Sequence, residues 1–161
     1  MFIEFDQMPV SARVWVYQAD RNFSESEKEL IEKNTRQFID GCAAHQQPLK
    51  GSSKVFYNRF LVIAVDESYN MASGCSIDAS VHFLKELEQT IHVNLFNRSQ
   101  VAFLQENNIL TEEVKNLKQK IAEGLIKENT LIFNNLVANV GEFQQKWQQP
   151  AKESWMSRFF S

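Results

Sequence analysis

Apolar positions recur along the chain with two periods, near two and near 3.6, and the switches between them divide it into strands and helices. Arg13 to Ala19, Arg-Val-Trp-Val-Tyr-Gln-Ala, is β-branched and aromatic, with Pro9 and Ser11 before it and Asp20, Arg21 and Asn22 after it. It predicts a first strand. Val14, Val16 and Gln18 share one face and Trp15, Tyr17 and Ala19 the other, so both faces should be covered. Ser24 starts a helix: Glu27 completes a capping box, and Glu25, Glu27 and Glu29 put negative charge where the helix dipole favours it. Leu30, Ile31, Thr35, Phe38 and Cys42 form its expected buried stripe, and Gly41 marks its end. A polar connector, His45 to Ser53, contains Pro48 and Gly51. Lys54 to Asn58 and Phe60 to Asp66 then predict two strands or one bent strand, the second apolar on both sides as in a central strand.

The helical period returns from about Ser76 to Val93. Ile77, Val81, Leu84, Leu87 and Ile91 fall on one side, with Cys75, Asp78, His82, Glu86 and Gln89 on the other. Gln100 to Gln105 predicts another strand, followed by a turn at Asn107 and Asn108. Thr111 is placed to cap a third helix, Glu112 to about Glu123, ended by Gly124. Leu131, Ile132 and Phe133 predict a last strand. Gly141 to Trp147 is weakly helical, Pro150 interrupts it, and the aromatic tail Ser154 to Phe160 is expected to dock on the body. The expected fold is therefore α+β: a mixed sheet of about five strands with three main helices, in the order βαββαβαβ, and a short helical C-terminal tail.

Length and composition narrow this further. A chain of 161 residues, 43% of them apolar, is one domain in size, and residues 1–161 are taken as a single domain. Twenty acidic and 17 basic residues give a net charge of -3, with the basic ones scattered. Such a balance argues against nucleic acid as a partner. Cys42 and Cys75 have no C-x-x-C spacing and make no metal or redox signature, so neither a metal nor a cofactor is assigned. Met-Phe-Ile-Glu-Phe-Asp lacks a basic segment followed by an apolar one, and no apolar run reaches the roughly 18–20 residues of a membrane span. A cytoplasmic protein without a membrane span is expected.

The candidate chemistry lies between Asp66 and His82, in a predicted strand-to-helix loop where polar groups meet a helix start. Asp66, Tyr69, Asn70, Ser73, Gly74 and Ser76 are candidate ligand-binding residues. Cys75 is the candidate nucleophile, because free N–H groups at a helix N-terminus stabilise a thiolate. Asp78 and His82 are its candidate catalytic partners, with Asp66 or Glu67 as another base. Seven residues of helix separate Cys75 from His82 by about 10 Å, beyond hydrogen-bond reach unless Cys75 folds back from the loop. A plain reading stands beside this one: Asp78 interacts with the first-turn N–H groups, Ser73 or Ser76 caps, and His82 is solvated. Asp66, Asp78 and His82 are also candidate ligands of a divalent metal, against which the plain reading stands for Asp78 and His82. Two functions follow: a binding or adaptor module using the 66–82 rim for a small molecule or a protein, a homodimer included, or a cysteine-dependent enzyme.

The runs Val-Asp-Glu-Ser-Tyr-Asn-Met-Ala-Ser-Gly-Cys-Ser-Ile-Asp-Ala-Ser, Ala-His-Gln-Gln-Pro-Leu-Lys and Pro-Ala-Lys-Glu-Ser-Trp resemble those of a small bacterial family often labelled "ABC transporter ATPase". The resemblance spans nearly the whole chain and brings no catalytic residues with it. ATP hydrolysis needs a glycine-rich G-x-x-x-x-G-K-[ST] loop to cradle phosphates. None of Gly41, Gly51, Gly74, Gly124 and Gly141 begins one, so ATP hydrolysis is rejected.

Overall fold

The computed structural model describes residues 1–41, 50–66 and 77–160, with the side chains of Ile77 and Asp78 outside that description. Among these residues the first sheet joins β1 (Arg13–Gln18), β2 (Lys50–Phe56) and β3 (Phe60–Asp66) in the order β1-β3-β2. The second joins β4 (Gln100–Gln105), β5 (Asn108–Glu113), β6 (Leu131–Phe133) and β7 (Gln148–Pro150) in the order β5-β4-β6-β7. Four α-helices accompany them: α1 (Glu25–Gly41), α2 (Ile77–Ile91), α3 (Leu117–Ala122) and α4 (Val140–Lys146). The fold is α+β as expected. In place of one mixed sheet of about five strands there are two sheets, and every strand pairing in them is antiparallel.

The differences have local causes. Thr111, Glu112 and Glu113 were expected to open a helix, but they pair with Ala102, Val101 and Gln100 as part of β5. Glu113 accepts hydrogen bonds from Ser99 Oγ at 3.0 Å and Gln100 Nε2 at 3.3 Å. Acidic residues are tolerated there because an edge strand keeps one side in water, and the helix begins only at Leu117. Lys50 to Ser53, expected as connector, extends β2 and pairs with Asp66 to Ile63. Gly51 permits this: a Cβ on it would lie 3.0 Å from Ile39 Cγ2 of α1 and 3.3 Å from the Ala64 carbonyl. Pro150 sits on β7 at the sheet edge, where its missing N–H costs nothing.

Other expectations are met. The register Val14↔Ala64, Trp15↔Ile63, Val16↔Val62 and Tyr17↔Leu61 aligns the faces of β1 and β3, and β3 is central. Phe60, Val62 and Ala64 face the second sheet, packing with Val14, Ala102, Ile109 and Phe133. Leu61 and Ile63 face the other way, towards Ile31 of α1 and Leu84, Leu87 and Ile91 of α2. The outer face of the second sheet, Val101, Phe103 and Ile132, packs on Leu117 and Met156. The layers are thus α1 and α2, first sheet, second sheet, then α3 with the C-terminal turns. The capping box of α1 is formed: the Ser24 N–H donates to Glu27 Oε1 at 2.8 Å, and the Glu27 N–H to Ser24 Oγ at 3.2 Å. Of its expected stripe Ile31 and Thr35 are buried, Leu30 and Phe38 are half-buried, and Ile39, not expected there, is buried beside them; Phe38 stacks on Phe83 at 4.7 Å, and Cys42 lies outside the described residues. Gly124 ends α3 at φ +82.

The tail docks. Its two 3-10 turns span Ala151–Glu153 and Trp155–Phe159, Ser154 Oγ accepts from the Met156 N–H at 3.0 Å, and Met156 is buried. Trp147, just past α4, is the hub of the aromatic core, stacked on Phe143 at 4.6 Å and edge-on to Phe60 at 5.0 Å. No described helix is long and apolar enough to cross a membrane.

Candidate functional site

Few of the residues singled out in the sequence can be placed. Tyr69, Asn70, Ser73, Gly74, Cys75 and Ser76 lie outside the described residues, as does Glu67. Asp66 is buried at the end of β3, opposite Lys50 of β2. Asp78 falls in the first turn of α2, as expected. His82 stands out from α2 with 78% of its side chain exposed, and its Nε2 lies 3.1 Å from Glu86 Oε1. An exposed i,i+4 pair is ordinary helix-surface chemistry. Among the described residues no three His, Cys, Asp or Glu side chains gather into a metal site.

Among the described residues, an open strand edge with polar and apolar groups around it lies along the outer side of β1. In a strand, alternate residues turn their N–H and C=O groups away from a given neighbour. The Ala19 N–H reaches Arg59 O at 2.8 Å, on the β3 side, whereas the Val14 N–H reaches Ala138 O at 3.1 Å and the Asp20 N–H reaches Asn94 O at 3.2 Å. Even-numbered residues therefore face outward. Between these two anchoring points the outward backbone groups belong to Val16 and Gln18, and among the described residues their N–H groups have no backbone partner. They open into a cleft of about 230 Å³.

The cleft has a polar floor. Gln18 Oε1 accepts from Asn135 Nδ2 at 2.9 Å, Gln18 Nε2 donates to the Gln100 carbonyl at 3.4 Å, and Trp147 Nε1 donates to Asn135 Oδ1 at 3.0 Å. A buried network of this kind fixes its members when every group is satisfied. The walls come from two loops held by asparagine side chains. Asn94 Oδ1 accepts from the Phe96 and Asn97 N–H groups at 2.9 and 3.0 Å, and Asn134 Oδ1 from the Leu136 N–H at 3.1 Å. Such side-chain bonds to nearby backbone N–H groups fix a turn locally.

The rim is apolar with one cation. Val114, Leu136 and Trp155, respectively 40%, 79% and 44% exposed, all border the cleft. Arg98 borders it too, and among the described residues its guanidinium makes no hydrogen bond or ion pair. Its charge is felt by Tyr17: burial pushes the Tyr17 phenol up, and Arg98 acts in the opposite sense. The groups assembled are amides, a phenol, one guanidinium and apolar walls.

A larger cleft of about 520 Å³ lies between the N-terminal segment, α1 and β2. Glu4, Asp6, Glu29 and Glu32 line it together with Lys33, Arg36 and Lys54, and Arg36 stacks over Phe2 at 4.6 Å. Charges of both signs on a broad solvated surface cancel at short range and select no particular ligand.

Sequence reasoning missed the β1 cleft, because its residues come from five separated stretches. The one signal was the pairing of Asn94 with Asn97 and of Asn134 with Asn135 in loops. No family model, no curated protein and no solved structure matches the chain.

Proposed function

We propose that the protein is a non-catalytic binding module whose ligand sits in the cleft at the outer edge of β1. The observation that carries this reading is the gap in backbone pairing between Val14 and Asp20, bordered by Arg98 and by three exposed apolar side chains. Unpaired strand-edge groups attract a ligand able to hydrogen-bond them, exposed apolar groups gain by being covered, and a guanidinium selects for an anion. The ligand class is a small molecule or peptide segment bearing a carboxylate beside an apolar group. The 66–82 rim expected from sequence lies mostly outside the described residues, and this reading stands on the β1 cleft alone.

Titration of the ¹⁵N-labelled chain with benzoate tests the reading. Saturable shifts confined to the amides of Val16, Gln18 and Arg98 and the Trp155 indole are expected, weakened in Arg98→Ala. Shifts scattered over the surface, or unchanged by Arg98→Ala, would count against a seat in this cleft.

A further inference from the structure

We infer that the occupant of the β1 cleft is the C-terminal end of a peptide, laid in extended form along β1 with its terminal carboxylate on Arg98. This rests on the binding reading above and names its ligand.

Val16 leaves two backbone groups to be answered. Its N–H needs an acceptor and its C=O needs a donor, both on the outward side between the Val14 and Asp20 anchors. A bare carboxylate accepts only, so it can answer one of the two. An extended peptide answers both, because each residue carries a donor and an acceptor at the spacing of the strand it joins. Peptides that add to an open sheet edge take their affinity from these main-chain bonds.

Direction follows from where the cation lies. Arg98 lies on the segment whose two ends are tied there, Asn94 accepting from the Asp20 N–H and Gln100 from the Gln18 side chain, so it is towards the Gln18 end of the gap. A carboxylate placed there makes the peptide run parallel to β1. In that arrangement the Val16 N–H donates to the carbonyl of the residue on one side of its opposite number. The Val16 C=O accepts from the N–H of the residue on the other side, which is the terminal one. The volume fits a short occupant: about 230 Å³ is below the ~300–1,000 Å³ of a typical drug-sized pocket. Two residues fill it, and the rest of the peptide leaves past Leu136, which is mostly exposed. Leu95, Val101 and Trp155 leave an apolar wall for the terminal side chain, so an aliphatic C-terminal residue is favoured.

N-acetyl-alanyl-leucine is the smallest probe with all three features: an acceptor carbonyl, a terminal N–H and a carboxylate. Titrated into the ¹⁵N-labelled full chain, it should shift the Val16, Gln18 and Arg98 amides and the Trp155 indole saturably. Its C-terminal amide should bind at least about tenfold more weakly, as loss of a charge-assisted contact implies. N-methylation of the Ala-Leu peptide bond, which removes the N–H but keeps the carboxylate, should weaken it as well. Equal binding of the acid and the amide would overturn the inference, as would indifference to N-methylation. If benzoate moves the cleft resonances and the dipeptide does not, the cleft remains a binding seat and the peptide assignment falls. If neither moves them, both fall together.

Discussion

Ser52 shows how a single side chain can stand against its surroundings. It is fully buried in β2, and among the described residues its hydroxyl has no hydrogen-bond partner. Burying a hydroxyl without a partner costs free energy that an apolar side chain of similar size avoids. Ser52→Ala should therefore stabilise the protein by about 1 kcal/mol, read as a higher urea midpoint at unchanged slope. A lower midpoint would mean that the hydroxyl has a bonding role in the folded state. Thr35 is the contrast, buried on α1 with its hydroxyl donating to the Ile31 carbonyl at 2.6 Å. Arg59 differs again. Its guanidinium donates to the Ala19 and Asp20 carbonyls, each at 3.1 Å, and to Thr111 Oγ1 at 3.3 Å. Burial lowers its pKa and the Asp20 charge raises it. In sequence Arg59 was only the residue between two expected strands, because nothing local says which carbonyls a long side chain will find. Its neighbours Tyr57 and Asn58 hold left-handed backbone at φ 55 and 53 without a glycine, which is why the turn carried so little signal.

Polar contacts tie the start of α1 to the end of α2 beside their apolar packing. Arg21 donates to both Glu27 carboxylate oxygens, at 2.8 and 2.7 Å, and to the Ile91 carbonyl at 2.7 Å. It thereby links the start of α1 to the end of α2. Hydrogen bonds from Arg21 and from the Ser24 backbone hold the Glu27 carboxyl at about 2, against an ordinary 4.5. A carboxyl lowered by folding contributes stability above its unfolded pKa, and that contribution is lost as pH falls through its folded pKa. The stability gap between the wild type and Glu27→Gln should accordingly be full above about 4.5 and vanish towards 2. The gap should be modest and shrink with salt, since Arg21 is 43% exposed. Paired denaturation curves across that window give the measurement, and a pH-independent gap would refute the assignment. The Ser24 and Glu27 capping box was legible from four residues of sequence, because both its bonds close within one turn. The link to Ile91 was not, since it joins residues 70 apart.

At the scale of the whole molecule, Trp147 connects the core to the proposed binding seat. It packs among Phe56, Phe60, Phe133 and Phe143, and its indole N–H donates to Asn135, which in turn donates to Gln18 on the cleft floor. Trp147→Phe retains a ring but removes that donor. It should cost about 1–3 kcal/mol and displace the Gln18 and Asn135 side-chain amide resonances. A stability loss with those resonances unmoved would show that the floor is held independently of the core. The sequence by itself determined the class of fold, the central placement of β3, the two-sided burial of β1, the apolar faces of α1 and α2, and the capped start of α1. Each of these follows from a period or a cap written within a few consecutive residues. Only the tertiary structure decided that the strands form two antiparallel sheets, that Asn108–Glu113 is a strand, and that the edge of β1 opens beside Arg98 and Trp155. Those outcomes depend on which distant segments meet, and pairing between distant segments leaves no periodic trace in either of them.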